Sequence, residues 1–402
     1  MTRESTSDAQ RLRGKKRVVL PDSTFECHAC GTCCRSFDVG PIPEARLESI
    51  AQHEWPDAVT RGEGAFFERS SGDDGRKPGI YFRQSAEGAC VFLGADNLCE
   101  IHKRLGEEAK PWMCRAFPFT LVETPERVYF SVLPDSREFH ATFRGTRPLD
   151  ALRFDEMLSL LPHYEVHRFD PPTLRITPRC EVPISLYETL EAEMLSLVDR
   201  PGQTLGTALL ALRDLSIAIV EAQDELVSGD SERLRAIARR PIRTDAPDAS
   251  AFSQVLAGLV GSLGEGLDAL MAQTTTRRER AVGDELLGII ARVNQRLRVG
   301  LPATLPADER GDALLRELAR LFIFQKRYEK MGDLVSGLGF LTLNLSVARL
   351  AAPVDEGRPL DAEAIQRVAH RFNQFTRHRF VQPWLRSMAA PLRVLFTHHA
   401  LL

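Results

Sequence analysis

From about residue 149 onward, apolar side chains recur at spacings of three and four. The pattern runs through "LDALRFDEMLSLLP" (149–162), "SLYETLEAEMLSLVD" (185–199), "LGTALLALRDLSIAIVEAQ" (205–223) and "DALLRELARLFIFQKRYEKM" (312–331). That period predicts amphipathic helices, each burying one stripe. "GLVGSLGEGLDALM" (258–271) reads as a helix rich in small residues, and "LVSGLGFLTLNLSVA" (334–348) is apolar on every face. The latter falls short of the roughly 20 residues that cross a bilayer, so it predicts a buried core helix. Breaks at "RRPIRTDAPDAS" (239–250) and "GLPATLPADERGD" (300–312) divide the helices into groups. One interruption, "HYEVHRFDPPTLRITP" (163–178), predicts a hairpin turning at Asp170-Pro171-Pro172.

Before residue 149 the texture differs. "GIYFRQ" (79–84), "RVYFSV" (127–132) and "EFHATF" (138–143) carry the aromatic and β-branched content of short strands. "PEARLESIAQHEW" (43–55), opened by Pro43, predicts a helix. So does "DNLCEIHKRLG" (96–106), where Asn97 and Glu100 form a capping-box-like start and Gly106 a stop. Residues 1–22, with the basic run "RLRGKKR" (11–17), read as a flexible, solvated tail. The expected fold class is therefore α+β. The 1–22 tail precedes a small Cys-rich domain of short strands and helices at 23–148, and a larger, mostly α-helical domain follows at 149–402.

Composition adds exclusions. At 402 residues, 43% hydrophobic, 27% charged and net charge −3, the chain has ordinary globular composition. It shows no electrostatic commitment to nucleic acid or an acidic membrane. The polar N-terminus lacks the apolar core of a secretory signal, so a cytoplasmic location is expected. The basic stretch "RVAHRFNQFTRHRF" (367–380) reads as a solvated helix face. No P-loop, G-x-S-x-G or H-E-x-x-H sequence occurs, so no catalytic residue can be named.

Cysteine placement carries the chemistry. Seven of the eight cysteines lie between 27 and 114, and four of them share "FECHACGTCC" (25–34): Cys27, Cys30, Cys33 and Cys34. In a large cytoplasmic chain, clustered cysteines indicate metal or redox chemistry rather than disulfides. Cys-x-x-Cys turns aim two sulfurs at one ion, which draws out the thiolates at neutral pH. Two such knuckles overlap at Cys27, Cys30 and Cys33, the opening of the ferredoxin-type run whose thiolates hold three corners of a four-iron cluster. Cys90, Cys99, Cys114 and His102 are the candidates to complete the site. Zinc, closed by four Cys or His ligands, is the other reading. Arg35 and Arg115, each directly after a cluster cysteine, could offset the negative charge of the thiolates. His28 reads as exposed filler within its knuckle, and the isolated Cys180 as a core residue.

"FECHACGTCC", "CVFL…LCEIH" and "CRAFPF" together resemble the CxxCxxCC cysteine-cluster family, described as zinc- or iron-chelating and including a flagellin lysine N-methylase branch. The resemblance covers about 25–119. The methylase branch implies a [4Fe-4S] cluster, S-adenosylmethionine as methyl donor and lysines of flagellin as acceptors. The alternative is a structural zinc-binding interaction protein without catalysis.

Overall fold

The computed structural model describes residues 3–25, 31, 34–35, 38–55, 59, 66–72, 76–85, 88–134, 148–149, 151–160, 166–169, 172–226, 230–240, 249–273, 277–298, 309–351, 362–376 and 381–399. Its elements run α1 (Arg3–Arg13), β1 (Lys16–Val19), α2 (Glu44–Ala51), β2 (Phe67–Ser70), β3 (Gly79–Phe82), α3 (Glu100–Leu105), α4 (Trp112–Ala116), β4 (Phe119–Glu123), β5 (Arg127–Val132) and α5 (Ala151–Ser159). Next come β6 (His167–Arg168), β7 (Thr173–Thr177), β8 (Cys180–Pro183), α6 (Ile184–Val198), α7 (Leu205–Glu221), α8 (Gln223–Leu226) and α9 (Ser231–Ala238). The last are α10 (Ala249–Gln273), α11 (Arg277–Arg298), α12 (Glu309–Phe324), α13 (Leu334–Ala351), α14 (Ala362–Thr376), α15 (Val381–Ser387) and α16 (Ala389–His399). The mixture of small sheets and many helices agrees with an α+β class. β1, β5, β4 and β6 lie in that order in a four-stranded sheet, while β2 pairs with β3 and β7 with β8.

Two compact units emerge. The first comprises Met1–Leu121, Phe130–His167 and Thr274–Arg280; the second comprises Val122–Tyr129, Arg168–Gln273 and Ala281–Leu402. In the first, α2 follows Pro43, which stands at its N-cap, and buries Leu47 and Ile50. β2 and β3 pair antiparallel, Phe67 opposite Phe82 and Ser70 opposite Gly79. The expected strand at 138–143 lies outside the described residues. Residues 1–22 depart from the expected flexible tail: α1 and β1 form there because Leu12 and Leu20 are buried. Two buried leucines eight residues apart in a basic stretch are too sparse to show as a periodic pattern.

In the second unit, α7 is capped by Thr204, whose hydroxyl accepts from Thr207 N, and α9 by Asp230, which accepts from Glu232 N and Arg233 N. All 18 residues of α13 are buried, so the apolar 334–348 stretch is a core helix. Among the described residues it is the one helix long and apolar enough to cross a membrane. The hairpin expected over 163–178 is displaced. β7 pairs instead with β8, Leu174 opposite Val182 and Thr177 opposite Cys180, and β6 joins the larger sheet. Asp170 and Pro171 of the expected turn lie outside the described residues, and the turn that closes the β7–β8 hairpin is Pro178-Arg179.

A buried ion pair sits in this unit. Lys326, at φ 53 and fully enclosed, donates to Glu191 Oε2 at 2.6 Å and to the Phe324 carbonyl at 3.2 Å. Its ammonium lies 3.1 Å from the Tyr129 ring centroid, where the aromatic quadrupole favours a cation. Burial nonetheless pushes Glu191 up to about 7, with Lys326 opposing the shift, and draws Lys326 downward. Nearby Glu188 is occupied by Arg127 at 3.1 Å and by the Thr124 hydroxyl at 3.0 Å.

Removing one partner of such a pair leaves the other uncompensated, so Lys326→Met should cost about 3–5 kcal/mol of stability at pH 8. Glu191's folded pKa lies above its unfolded value, so its proton favours folding below about 7 and that contribution is lost as pH rises through 7. The Lys326→Met penalty should therefore shrink towards pH 5. Denaturant unfolding at the two pH values checks both statements; equal penalties would contradict them.

Candidate metal centre

An aromatic core underlies the first unit. Phe92 packs against Phe82 (centroids 4.6 Å apart), Trp55 (4.9 Å) and Phe66 (5.2 Å), with Ile101 and Ile50 beside them. Cys90 is part of this core, and Cys34, Cys99 and Cys114 pack against it half-buried.

Local backbone bonds aim these residues together. Cys90 N donates to Cys34 O at 2.8 Å, joining the early cysteine segment to the later one. Bridges pair Gln84 with Cys90 and Leu93 with Cys99, and Glu100 N closes onto Phe92 O at 2.8 Å. Cys99 is the residue that precedes α3, and Gly106 ends that helix at φ 85. The helix thus begins later than the capping-box reading expects. Asn97 does not cap it: at φ 61 it occupies a left-handed turn, where its N–H donates to Gly94 O at 3.0 Å. Asparagine tolerates that conformation better than most side chains. Cys114 comes from α4, a single turn entered at Pro111.

The thiols act on one another. Burial raises the Cys114 thiol well above its ordinary value, and Cys90, Cys34 and Cys99 raise it further. Cys90 is raised mainly by burial, against the Phe92 backbone N–H, with Cys34 and Cys99 adding to the rise. Both effects penalise negative charge, and a bound cation reverses them. Lys110 is the cation that favours a Cys114 thiolate. The donor set of soft sulfurs from two segments fits zinc or an iron–sulfur cluster. Among the described residues, no three Cys, His, Asp or Glu side chains already stand at metal-ligating spacing.

The other sequence candidates fall as follows. Cys27, His28, Cys30 and Cys33 lie outside the described residues. His102 is exposed on α3. Arg35 donates to Asn97 Oδ1 at 2.8 Å. Arg115 is engaged by Glu108 at 2.9 Å and Glu156 at 3.5 Å, while its buried Nε has no partner. Cys180 is buried in β8 of the second unit, its amide donating to the Thr177 hydroxyl, as a core residue does. Sequence reasoning missed Lys110 and assigned Asn97 the wrong task. A lysine four residues before Cys114 was the available signal for the first. For the second it was an Asn in the Gly/Asp/Asn-rich stretch "GADN", a turn composition.

The family model CxxCxxCC, described as "Putative zinc- or iron-chelating domain", matches residues 26–141, a span that holds the seven clustered cysteines. No curated protein and no solved structure matches the chain.

In metal-free, reduced protein at pH 8, Cys90 and Cys114 should alkylate more slowly than they do after denaturation, because thiolate is the reactive form. Mass-spectrometric mapping of the modified cysteines over time gives the answer; native rates equal to denatured ones would refute the raised pKa values.

Proposed function

We propose that residues 26–141 chelate a metal through cysteine thiolates and hold it as a [4Fe-4S] cluster. One observation carries the metal reading. Cys34, from the first cysteine run, sits among Cys90, Cys99 and Cys114, close enough that their charges act on one another. The overlapping Cys27, Cys30 and Cys33 knuckles support iron–sulfur over zinc. Such a cluster, when bound, supplies one-electron chemistry or an electrophilic iron. The chain's own part is to donate thiolates, screen their charge with Lys110 and shield them with the Phe82–Phe92 core. Methyl transfer to a lysine side chain, the finer expectation, has its support in the resemblance of the cysteine motif.

Full-length protein purified without oxygen should be brown and contain iron and acid-labile sulfide in equal amounts. Cys114→Ser and Cys30→Ser should lose most of the metal, and Cys180→Ser should retain it. A colourless protein with stoichiometric zinc would overturn the cluster. Protein free of both metals would overturn chelation altogether.

A further inference from the structure

We infer that Arg35 and Asn97 form a latch that positions the two cysteine segments for metal binding; this rests on the chelation reading above. The two residues are 62 positions apart, yet Arg35 Nη2 donates to Asn97 Oδ1 at 2.8 Å. Each neighbours a thiol: Arg35 follows Cys34, and Asn97 lies two residues before Cys99. The adjoining Cys90 N to Cys34 O bond, also 2.8 Å, makes a second tether from the same end of the early segment. Two tethers at consecutive residues fix orientation as well as distance, which a single bond leaves free to pivot.

The surroundings are shaped for this bond. Asn97 holds φ 61 within a turn closed by Gly94 N donating to Leu98 O at 2.8 Å and Leu98 N donating to Asp96 Oδ1 at 3.1 Å. That turn presents the carboxamide towards the early segment. On the other side, Gly31 is buried at φ 69, directly after Cys30. A Cβ there would overlap the Arg35 guanidinium and approach Asn97 Oδ1 to 3.0 Å. Glycine therefore serves two needs at position 31, the left-handed turn and the space that the latch occupies. Arg35 itself is exposed, so its bond acts chiefly through geometry. Groups that orient metal ligands commonly govern metal retention.

The alternative role for Arg35 is bulk charge compensation of the thiolates, and the two roles separate by substitution. Asn97→Gly keeps the left-handed backbone and removes only the acceptor. Arg35→Lys keeps the charge and loses the planar fork. The measurement is the rate at which as-purified full-length protein loses its iron or zinc to EDTA. Unfolding of each metal-free variant reports the purely structural effect. The latch predicts that Asn97→Gly and Arg35→Ala each speed metal loss about tenfold, that the double variant is no faster than either, and that Arg35→Lys falls between wild type and Arg35→Ala. Metal-free stability should be nearly unchanged. A silent Asn97→Gly, or additive effects in the double variant, would overturn the latch while chelation stands. Effects wholly matched by lost metal-free stability would overturn it too. Wild-type protein without iron or zinc would overturn the chelation reading, and the latch with it.

Discussion

Burial makes the Cys90 and Cys114 thiols harder to ionise, and that constraint governs the chemistry of the first unit. Cys90 and Cys114 lose the solvation that a thiolate needs and also feel their neighbours' charge. In the absence of a cation the cheapest state is the neutral thiol. A divalent ion or an iron–sulfur centre removes both penalties together, because it supplies the opposing charge where water is excluded. The aromatic cluster around Phe92 therefore does more than stabilise a small domain. By excluding water from Cys90 it would couple ionisation of that thiol to the binding of a cation.

The same logic assigns parts to the charges nearby. The Lys110 charge favours a Cys114 thiolate. Arg115, one residue on, is held by Glu108 and Glu156. Arg35 Nη2 donates to a neutral carboxamide, an interaction with more directional than electrostatic content.

The second unit meets burial of charge differently. Lys326 and Glu191 neutralise each other inside a tyrosine-lined interior, with the Tyr129 face against the ammonium. Such pairs contribute little net stability but strongly disfavour any packing that separates them. The pair joins α6 to the segment after α12.

Apolar spacing set out the helical second half, unbroken apolarity the buried helix at 334–348, and aromatic and β-branched content the strands at 79–84 and 127–132, because burial leaves a local pattern. The cysteine spacing likewise set out the chemical class of the site, because ligand chemistry resides in the side chains themselves. Tertiary structure decided what depends on partners remote in the chain. Two buried leucines turned an expected tail into α1 and β1, and β8 rather than residues 163–168 became the mate of β7. The same holds for Asn97, which reads locally as a helix cap and instead accepts a bond from Arg35. A hydrogen bond across 62 residues has no period and no motif, so only the folded chain could reveal it.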